Sequence, residues 1–375
     1  MTSSLKKFSL REPDIMGSYS KNDVIFLLKD ISDMIEEKDN DEREKAIQSG
    51  VHYSEMLPIE YRPSEEYIKL FYESLKKYDK KIATAVGVVG ELILKKRGKD
   101  IVLASLARAG TPIGILIKRY IKYKYKLDLP HYSISIIRGK GIDENAIKYI
   151  LLNHPGKEIQ FIDGWTGKGA ITKVLQMACK DFKKKWTVEL NDDLAVLADP
   201  GYCVSTFGTR EDFLIPSACL NSTVSGLVSR TVHREDLIKE DDFHGAKFYK
   251  ELIDEDLSNF YVDTISSKFK YVLKDIEENL KEILNKDSTP TWLGLKDVEK
   301  IQRDFNIENI NFVKPGIGET TRVLLRRIPW KILIRKDSKN LEHILLLAKE
   351  RNVPVEVYPL KAYNCCGIIK NLRRE

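Results

Sequence analysis

An acid, a threonine and three glycines stand close together at Asp163, Gly164, Thr166, Gly167 and Gly169, with Lys168 between the last two. A short apolar run, 159–162, of strand character precedes them, and an apolar pattern of helical spacing starts at Ala170. A strand, a glycine loop and a helix start make a cradle for an anion. The loop's N–H groups and the positive end of the helix favour negative charge at one place, and glycine lets the backbone come close. Asp163 can accept hydrogen bonds from sugar hydroxyls or sit beside a Mg²⁺. The order Gly-x-x-x-x-Gly-Lys-Ser/Thr is absent, so this is not a Walker A loop.

The elements around this loop alternate. The run 100–106 is nearly all apolar, as in a buried parallel strand, and is broken by Arg108-Ala109-Gly110 before a helix from Thr111 to about Lys126. A strand over 132–137 leads into the basic loop Arg138-Gly139-Lys140-Gly141, and a helix over 144–152 follows. After the Asp163 loop come a helix over 170–183 and a strand over 194–198. This alternation indicates a doubly wound parallel α/β sheet, whose ligands bind beyond the carboxyl ends of the strands. Three loops converge there: 108–111, 138–141 and 163–169. Upstream, helical spacing of Val24, Leu27, Leu28, Ile31, Met34 and Ile35 predicts a helix over 23–37. A second helix starts at Ser64 with Tyr67, Leu70, Phe71 and Leu75 inward. A third runs from about Ala83 to Lys96, with Val86, Val89 and Leu92 inward and a basic last turn before Gly98.

The chain has 375 residues, 42% hydrophobic and 31% charged, with a net charge of +6. That balance suits a soluble globular protein of two domains. No apolar stretch approaches a membrane span, and the polar start carries no signal core, which points to the cytoplasm. Five cysteines, an odd count without regular spacing, argue against a secreted disulfide framework, and the absence of Cys-x-x-Cys argues against structural zinc. Two of them, Cys203 and Cys219, lie in the polar stretch 199–231, which also holds Arg210 and shows few helix or strand signals. Such a stretch inside a domain is usually functional or mobile. Free cysteines are mostly small buried apolar residues. As a nucleophile, Cys219 is the better candidate, with Asn221 beside it and His52, His233 or His244 to activate it. From 243 to 286 the chain reads as long charged helices with Phe248, Leu252, Leu257, Phe260, Ile265, Phe269, Val272 and Ile276 on one buried face.

A polar linker over 287–291 divides residues 1–290 from a smaller α/β unit, 291–375. In that unit Lys314, Arg322, Arg326, Arg327, Lys331, Arg335 and Lys336 face a single acid, Glu319, so that stretch alone carries a formal +6. Gly316 and Gly318 precede the arginines. Basic residues clustered beside flexible glycines make an electrostatic footprint for a phosphate backbone. A strand over 331–335, a helix over 341–351 with Leu341, Ile344, Leu345 and Ala348 inward, and a strand over 355–358 complete the unit.

These motifs resemble a known family. The segment Ser105-Leu-Ala-Arg-Ala-Gly-Thr-Pro-Ile-Gly114 resembles the pyrophosphate loop of type I phosphoribosyltransferases, and Phe161-Ile-Asp-Gly-Trp-Thr-Gly-Lys-Gly-Ala170 their 5′-phosphate loop. With Pro216-Ser-Ala-Cys-Leu-Asn-Ser-Thr-Val-Ser-Gly226 and Thr320-Thr-Arg-Val-Leu-Leu-Arg-Arg-Ile-Pro329, the resemblance covers nearly the whole chain. It is to a bacterial family of tellurite-resistance and stress gene clusters that joins a phosphoribosyltransferase-like domain to a Pelota-type (L7Ae-like) RNA-binding domain and also bears the name cysteine protease StiP. The resemblance implies a ligand such as 5-phosphoribosyl 1-diphosphate (PRPP) or a nucleotide. Arg108, Ala109, Gly110 and Thr111 would meet pyrophosphate, and Gly164, Thr166, Gly167, Lys168, Gly169 and Ala170 the 5′-phosphate. Asp163 would meet the ribose or Mg²⁺, with Arg138, Lys140 and Arg210 as further loop cations. RNA would meet Lys314, Arg322, Arg326, Arg327 and Lys331. The transferase loop has two adjacent acids; here Ile162 precedes a single Asp163, and the missing acid favours the alternative of a nucleotide- and RNA-binding protein without catalysis. The acceptor, the general base and the oligomeric state stay open.

Overall fold

The sheet that carries the loops runs through the middle of the first 290 residues of a computed structural model, which describes residues 11–370. Its strands are Ile25–Phe26 (β1), Ile101–Leu106 (β2), His131–Ile134 (β3), Glu158–Trp165 (β4), Ala195–Ala198 (β5) and Thr206–Thr209 (β6). They lie in the order β1-β3-β2-β4-β5-β6, and every pair is parallel. Burial on both faces explains why these strands are continuously apolar. Successive residues of β4 show it: Phe161 belongs to one core and Ile162 to the other, and neither is exposed.

Helices cover both faces. After the short helix Asn40–Gln48 (α1) comes Glu65–Arg97 (α2), which packs with Thr111–Tyr125 (α3) on one face. Glu144–Asn153 (α4) and Ala170–Trp186 (α5) build the core of the other. Ser258–Ser266 (α6) and Leu273–Leu284 (α7) add to the α2 side. Among the described residues no helix is long and apolar enough to cross a membrane.

Several expectations change. The stretch 23–37 is not helical. Its run 24–28 is apolar at every position, so a helical pattern fits it by default, yet the chain is extended there and β1 adds an edge to the sheet. Leu27 and Leu28 are both fully buried, in opposite cores. The two helices expected over 64–96 are one, because nothing between 75 and 83 breaks a helix and Tyr78 and Ile82 continue the buried stripe. The polar stretch 199–231 is packed: it contributes β6 and buries Phe213, Leu214, Ile215 and Leu220. Within 243–286 regular α-helix is confined to α6 and α7, and Phe260 is exposed.

The C-terminal part starts with Leu293–Asp304 (α8). Its strands Val313–Pro315 (β7), Pro329–Ile334 (β8), Val355–Val357 (β9) and Cys365–Ile369 (β10) lie in the order β7-β10-β8-β9. Only β8–β9 is a parallel pair. Ile317–Arg326 (α9) and Glu342–Glu350 (α10) complete it. Leu341, Ile344 and Ala348 point inward as expected, whereas Leu345 is exposed.

Candidate functional site

Strands β2 and β4 are neighbours with Ser105 opposite Ile162, so the loops that follow them leave the sheet side by side. Gly110 marks their contact: a Cβ there would come 2.7 Å from the Ile162 carbonyl oxygen, closer than packing allows. The Ala107–Arg108 peptide is cis. At the second loop, Gly169 precedes α5 with φ at 73°, a left-handed conformation open to glycine at no steric cost. The N–H groups of Gly167, Lys168 and Gly169, and those of Arg108 and Ala109, have no hydrogen-bond partner among the described residues. Unpaired backbone donors are rare where they are buried, as Gly169 is; the other four residues border a cleft where solvent or an anion can meet them, and all five gather at two touching loops.

Two adjoining cavities open above these loops, with volumes of about 220 and 270 Å³. They share Asp163, Trp165 and Glu319, so they form one cleft with a waist. The first chamber has Arg108 and Ala109 on its floor and Phe213, Ile215 and Leu220 as an apolar wall. The second is built on residues 166–170 and faced by Arg138 and Lys314. The C-terminal part closes both: Glu319 and Arg322 reach the first, Asn311, Lys314 and Pro315 the second.

Charge is arranged unevenly along the cleft. Asp163 accepts the Gly164 N–H at 2.7 Å, and burial pushes its carboxyl up to about 7. Lys168 donates to the Ile310 carbonyl at 2.9 Å and to Asn311 Oδ1 at 3.2 Å. Burial first, then Lys314 and Arg138, bring it down to about 8. Lys314 is lowered too, by burial and by Arg327, Arg138 and Arg322, against the opposing pull of Glu319. Its ammonium has no ion pair among the described residues. Cations gathered closely enough to depress one another are what a site for an anion requires.

Other expected residues lie around the cleft. The Thr166 hydroxyl donates to the Asp199 carboxylate, which also accepts the Cys203 and Val204 N–H groups and the Arg210 guanidinium. Arg210 lies 3.7 Å over the Phe207 ring, so it props the loop from behind. Arg108 reaches toward the Val228 carbonyl at 3.4 Å and Glu60 at 3.9 Å. Lys140 is tied to Glu55 and the His233 carbonyl and faces a different cavity. Thr111 donates or accepts with Ser133 inside the core. Of the C-terminal cations, Arg322 donates to the Ala218 carbonyl at 3.0 Å and pairs with Glu319. Arg326 lies over the Tyr67 ring and donates to the Tyr67 hydroxyl, Asn221 Oδ1 and the Cys219 carbonyl. Lys331 pairs with Glu356 between Phe305 and Trp330. Arg327 is exposed and has no partner among the described residues.

The cysteines sit differently. Cys219 and Cys203 are buried, and burial raises both thiols to about 12. Cys203 Sγ is 3.3 Å from the Gly167 carbonyl, beneath the 163–169 loop. Among the described residues no histidine nitrogen bonds to a cysteine. No group of three His, Cys, Asp or Glu side chains is placed to hold a metal ion among them.

Sequence reasoning overlooked Glu319 and Phe213 as cleft residues. Both left a trace: Glu319 is the lone acid of the basic stretch, and 213–215 is an apolar run inside a polar one.

Residues 17–266 match the family model described as "Tellurite-like stress resistance cysteine protease StiP", and residues 292–371 match the PELOTA RNA binding domain. A protein of Acinetobacter baylyi named cysteine protease StiP is 33% identical over 381 residues, covering 95% of this chain and 94% of its own. A crystal structure of a hypothetical protein from Neisseria gonorrhoeae with bound ppGpp aligns with 32% of this chain and 66% of its own, at 16% identity. Its TM-score of 0.22 is too low to bear on fold or ligand here. With a family model spanning most of the chain and a relative aligned along nearly all of it, the chain belongs to the StiP family of tellurite-like stress resistance cysteine proteases and carries a C-terminal PELOTA RNA-binding domain.

Proposed function

We propose that the cleft binds PRPP or a nucleotide in the manner of a type I phosphoribosyltransferase, within the stress response that the family's description names. The observation that carries this reading is the set of unpartnered N–H groups on the two touching loops, faced by Lys168, Lys314 and Arg138. The 5′-phosphate takes the N–H groups of 167–169 and the Lys168 ammonium. Asp163, at the waist, receives the ribose hydroxyls. The diphosphate lies on the Arg108–Ala109 side, and the apolar wall of Phe213 and Ile215 takes the acceptor. The acceptor's lone pair forms the new bond at the anomeric carbon as the carbon–oxygen bond breaks toward diphosphate. Positioning and charge neutralisation supply most of the rate. A Mg²⁺ would be held beside Asp163 and Glu319, whose carboxylates supply hard oxygen donors at the waist, and would neutralise the leaving diphosphate.

Thermal shift with PRPP and Mg²⁺ tests the reading. A rise in Tm is expected, since saturating ligand at a hundred times Kd adds about 2.7 kcal/mol. Arg108→Ala with Asp163→Asn abolishes it. No rise with PRPP, ribose 5-phosphate or any nucleotide overturns it.

The name of the family and of the 33%-identical relative supports a second reading, a cysteine peptidase using Cys219 or Cys203. A peptidase needs an exposed thiolate and a base. It predicts hydrolysis of casein or peptides by the full chain that disappears in Cys219→Ser or Cys203→Ser while PRPP binding persists.

A further inference from the structure

The waist of the cleft is built by both parts of the chain. Asp163 and Trp165 reach it from the end of β4, and Glu319 from the first turn of α9. Two glycines let α9 come that close. A Cβ on Gly316 would stand 2.8 Å from Cζ2 of Trp165, and one on Gly318 would stand 3.3 Å from the Ala218 Cβ. A Cβ on Gly167 would stand 2.7 Å from Cζ3 of the same indole. The ring thus packs against both the 163–169 loop and the start of α9, and Gly316 and Gly318 serve close approach rather than flexibility. Asp212 fixes the same turn by accepting the Ile317 N–H at 2.9 Å, and Arg322, further along α9, donates to the Ala218 carbonyl at 3.0 Å.

Each acid at the waist has one oxygen engaged and one open. Asp163 Oδ1 accepts the Gly164 N–H at 2.7 Å, and Glu319 Oε1 accepts the Arg322 guanidinium at 3.1 Å. Neither Asp163 Oδ2 nor Glu319 Oε2 has a partner among the described residues. Trp165, the third residue common to both chambers, can only donate. A ligand whose phosphate rests on the 166–169 loop and whose other end enters the first chamber must cross this place. Two carboxylates repel a phosphate or diphosphate chain there and suit uncharged O–H donors. A ribose ring brings two such donors, on neighbouring carbons.

We infer that Glu319 is a second sugar-binding acid of the cleft: the open oxygens of Asp163 and Glu319 each accept one of the two neighbouring ring hydroxyls of a ribosyl ligand. The C-terminal part then reads the sugar of a ligand that the sheet domain holds by its phosphate. The inference rests on the reading of the cleft as a PRPP or nucleotide site, and it names the residue that makes that site selective for ribose. Selectivity so built depends on how α9 is seated, whereas phosphate binding on the 166–169 loop does not.

The test titrates the full chain calorimetrically with ribose 5-phosphate and with its 2-deoxy and 3-deoxy analogues. These probes carry no diphosphate, and Mg²⁺ is omitted, so hydroxyl recognition is read apart from the metal. The native chain should bind ribose 5-phosphate about tenfold more tightly than either analogue, the loss of one charge-assisted bond. In Glu319→Ala the preference over one analogue should vanish and the preference over the other persist; Asp163→Asn should reduce the second. Ratios are compared, so a general gain from removing a negative charge near the phosphate cancels. Glu319→Gln, which keeps the length of the side chain and a neutral acceptor, should leave a preference of about threefold, and it replaces Glu319→Ala if that variant fails to fold. Both preferences intact in the Glu319 variants, or no preference in the native chain, overturns the inference while PRPP binding stands. A native chain that binds neither ribose 5-phosphate nor PRPP overturns the reading of the cleft, and this inference with it.

Discussion

The segments 163–170 and 216–226 look alike in composition: small, polar, glycine-containing, each with one candidate catalytic side chain. The structure treats them in opposite ways. In 216–226, which also walls the first chamber, most polar groups bond inward, the buried Thr223 hydroxyl being an exception. Ser222 donates twice to Glu60, Ser225 donates to the Asn221 carbonyl, and Asn221 Oδ1 and two carbonyls receive Arg326 and Arg322. Cys219 is sealed beneath. In 163–170 three N–H groups have no partner among the described residues, and they face a cleft together with Asp163, whose carboxylate accepts only the Gly164 N–H among them. Polar density does not make a site; unmet hydrogen-bonding capacity and unneutralised charge do.

The largest expected effect tests the open side of that contrast. Replacing both Lys168 and Lys314 with Ala should weaken PRPP or nucleotide binding by about a hundredfold, as two charge-assisted bonds of about 1.5 kcal/mol each are lost, while the Tm without ligand falls slightly as the Lys168 bonds to Ile310 and Asn311 are lost. Calorimetric titration reads this, and unchanged affinity would put the ligand elsewhere.

The closed side predicts a stability effect. Arg326→Ala removes the bonds to Tyr67, Asn221 and Cys219 and should lower unfolding free energy by about 2 kcal/mol, whereas Arg327→Ala, on an exposed side chain, should stay within about 0.5 kcal/mol. Denaturant titration of the two variants compares neighbours in sequence that differ in everything else.

Asp163 sharpens the contrast through pH. Its carboxyl is raised from 3.8 to about 7 in the folded chain. Between those values the folded state holds a proton that the unfolded state has released, so stability falls as pH rises through the window. Asp163→Asn removes that loss. The variant should be more stable than the parent by about 1–2 kcal/mol at pH 8, with no gain at pH 3.5, and should bind PRPP worse. A destabilised variant at pH 8 would mean the carboxylate is structurally required.

The smallest effect concerns Cys219. The native protein at pH 7.5 should resist iodoacetamide at Cys219, and Cys219→Ser should leave ligand affinity unchanged at a stability loss of about 1 kcal/mol. Rapid native alkylation, read by peptide mass, would reopen the segment as a site.

The strand at 206–209, hidden in a polar stretch, was not legible. The sheet was legible at its centre, since the mostly apolar runs over 100–106 and 159–162 are too short for a buried helix and suit a strand covered on both sides. That same property misled at 24–28, where a run apolar at every position satisfies a helical period and an edge strand equally. The loops were legible because glycine, threonine and acid at a strand end leave a chemical signature. The division of labour among Arg322, Arg326, Arg327 and Lys314 was not. Their identities are interchangeable in a charge count, and only packing against Tyr67, Ala218 and Asn221 separates those that hold the chain together from those left facing the cleft. Glu319 was hidden for the same reason, its role set by a neighbour far upstream in the chain, at the Asp163 waist.

The Asp212 carboxylate takes the Ile317 and Asn364 N–H groups at 2.9 Å each, and its own carbonyl takes the Asn364 side chain. Burial lifts this carboxyl to about 6. An anion so placed is tolerable only while both C-terminal segments stay folded against it, and they in turn lose a cap if it leaves. The consequence is cooperativity: the two parts should melt in one calorimetric transition, and a chain cut at the linker should leave the sheet domain less stable than it is in the whole, however distinct the two parts look as families.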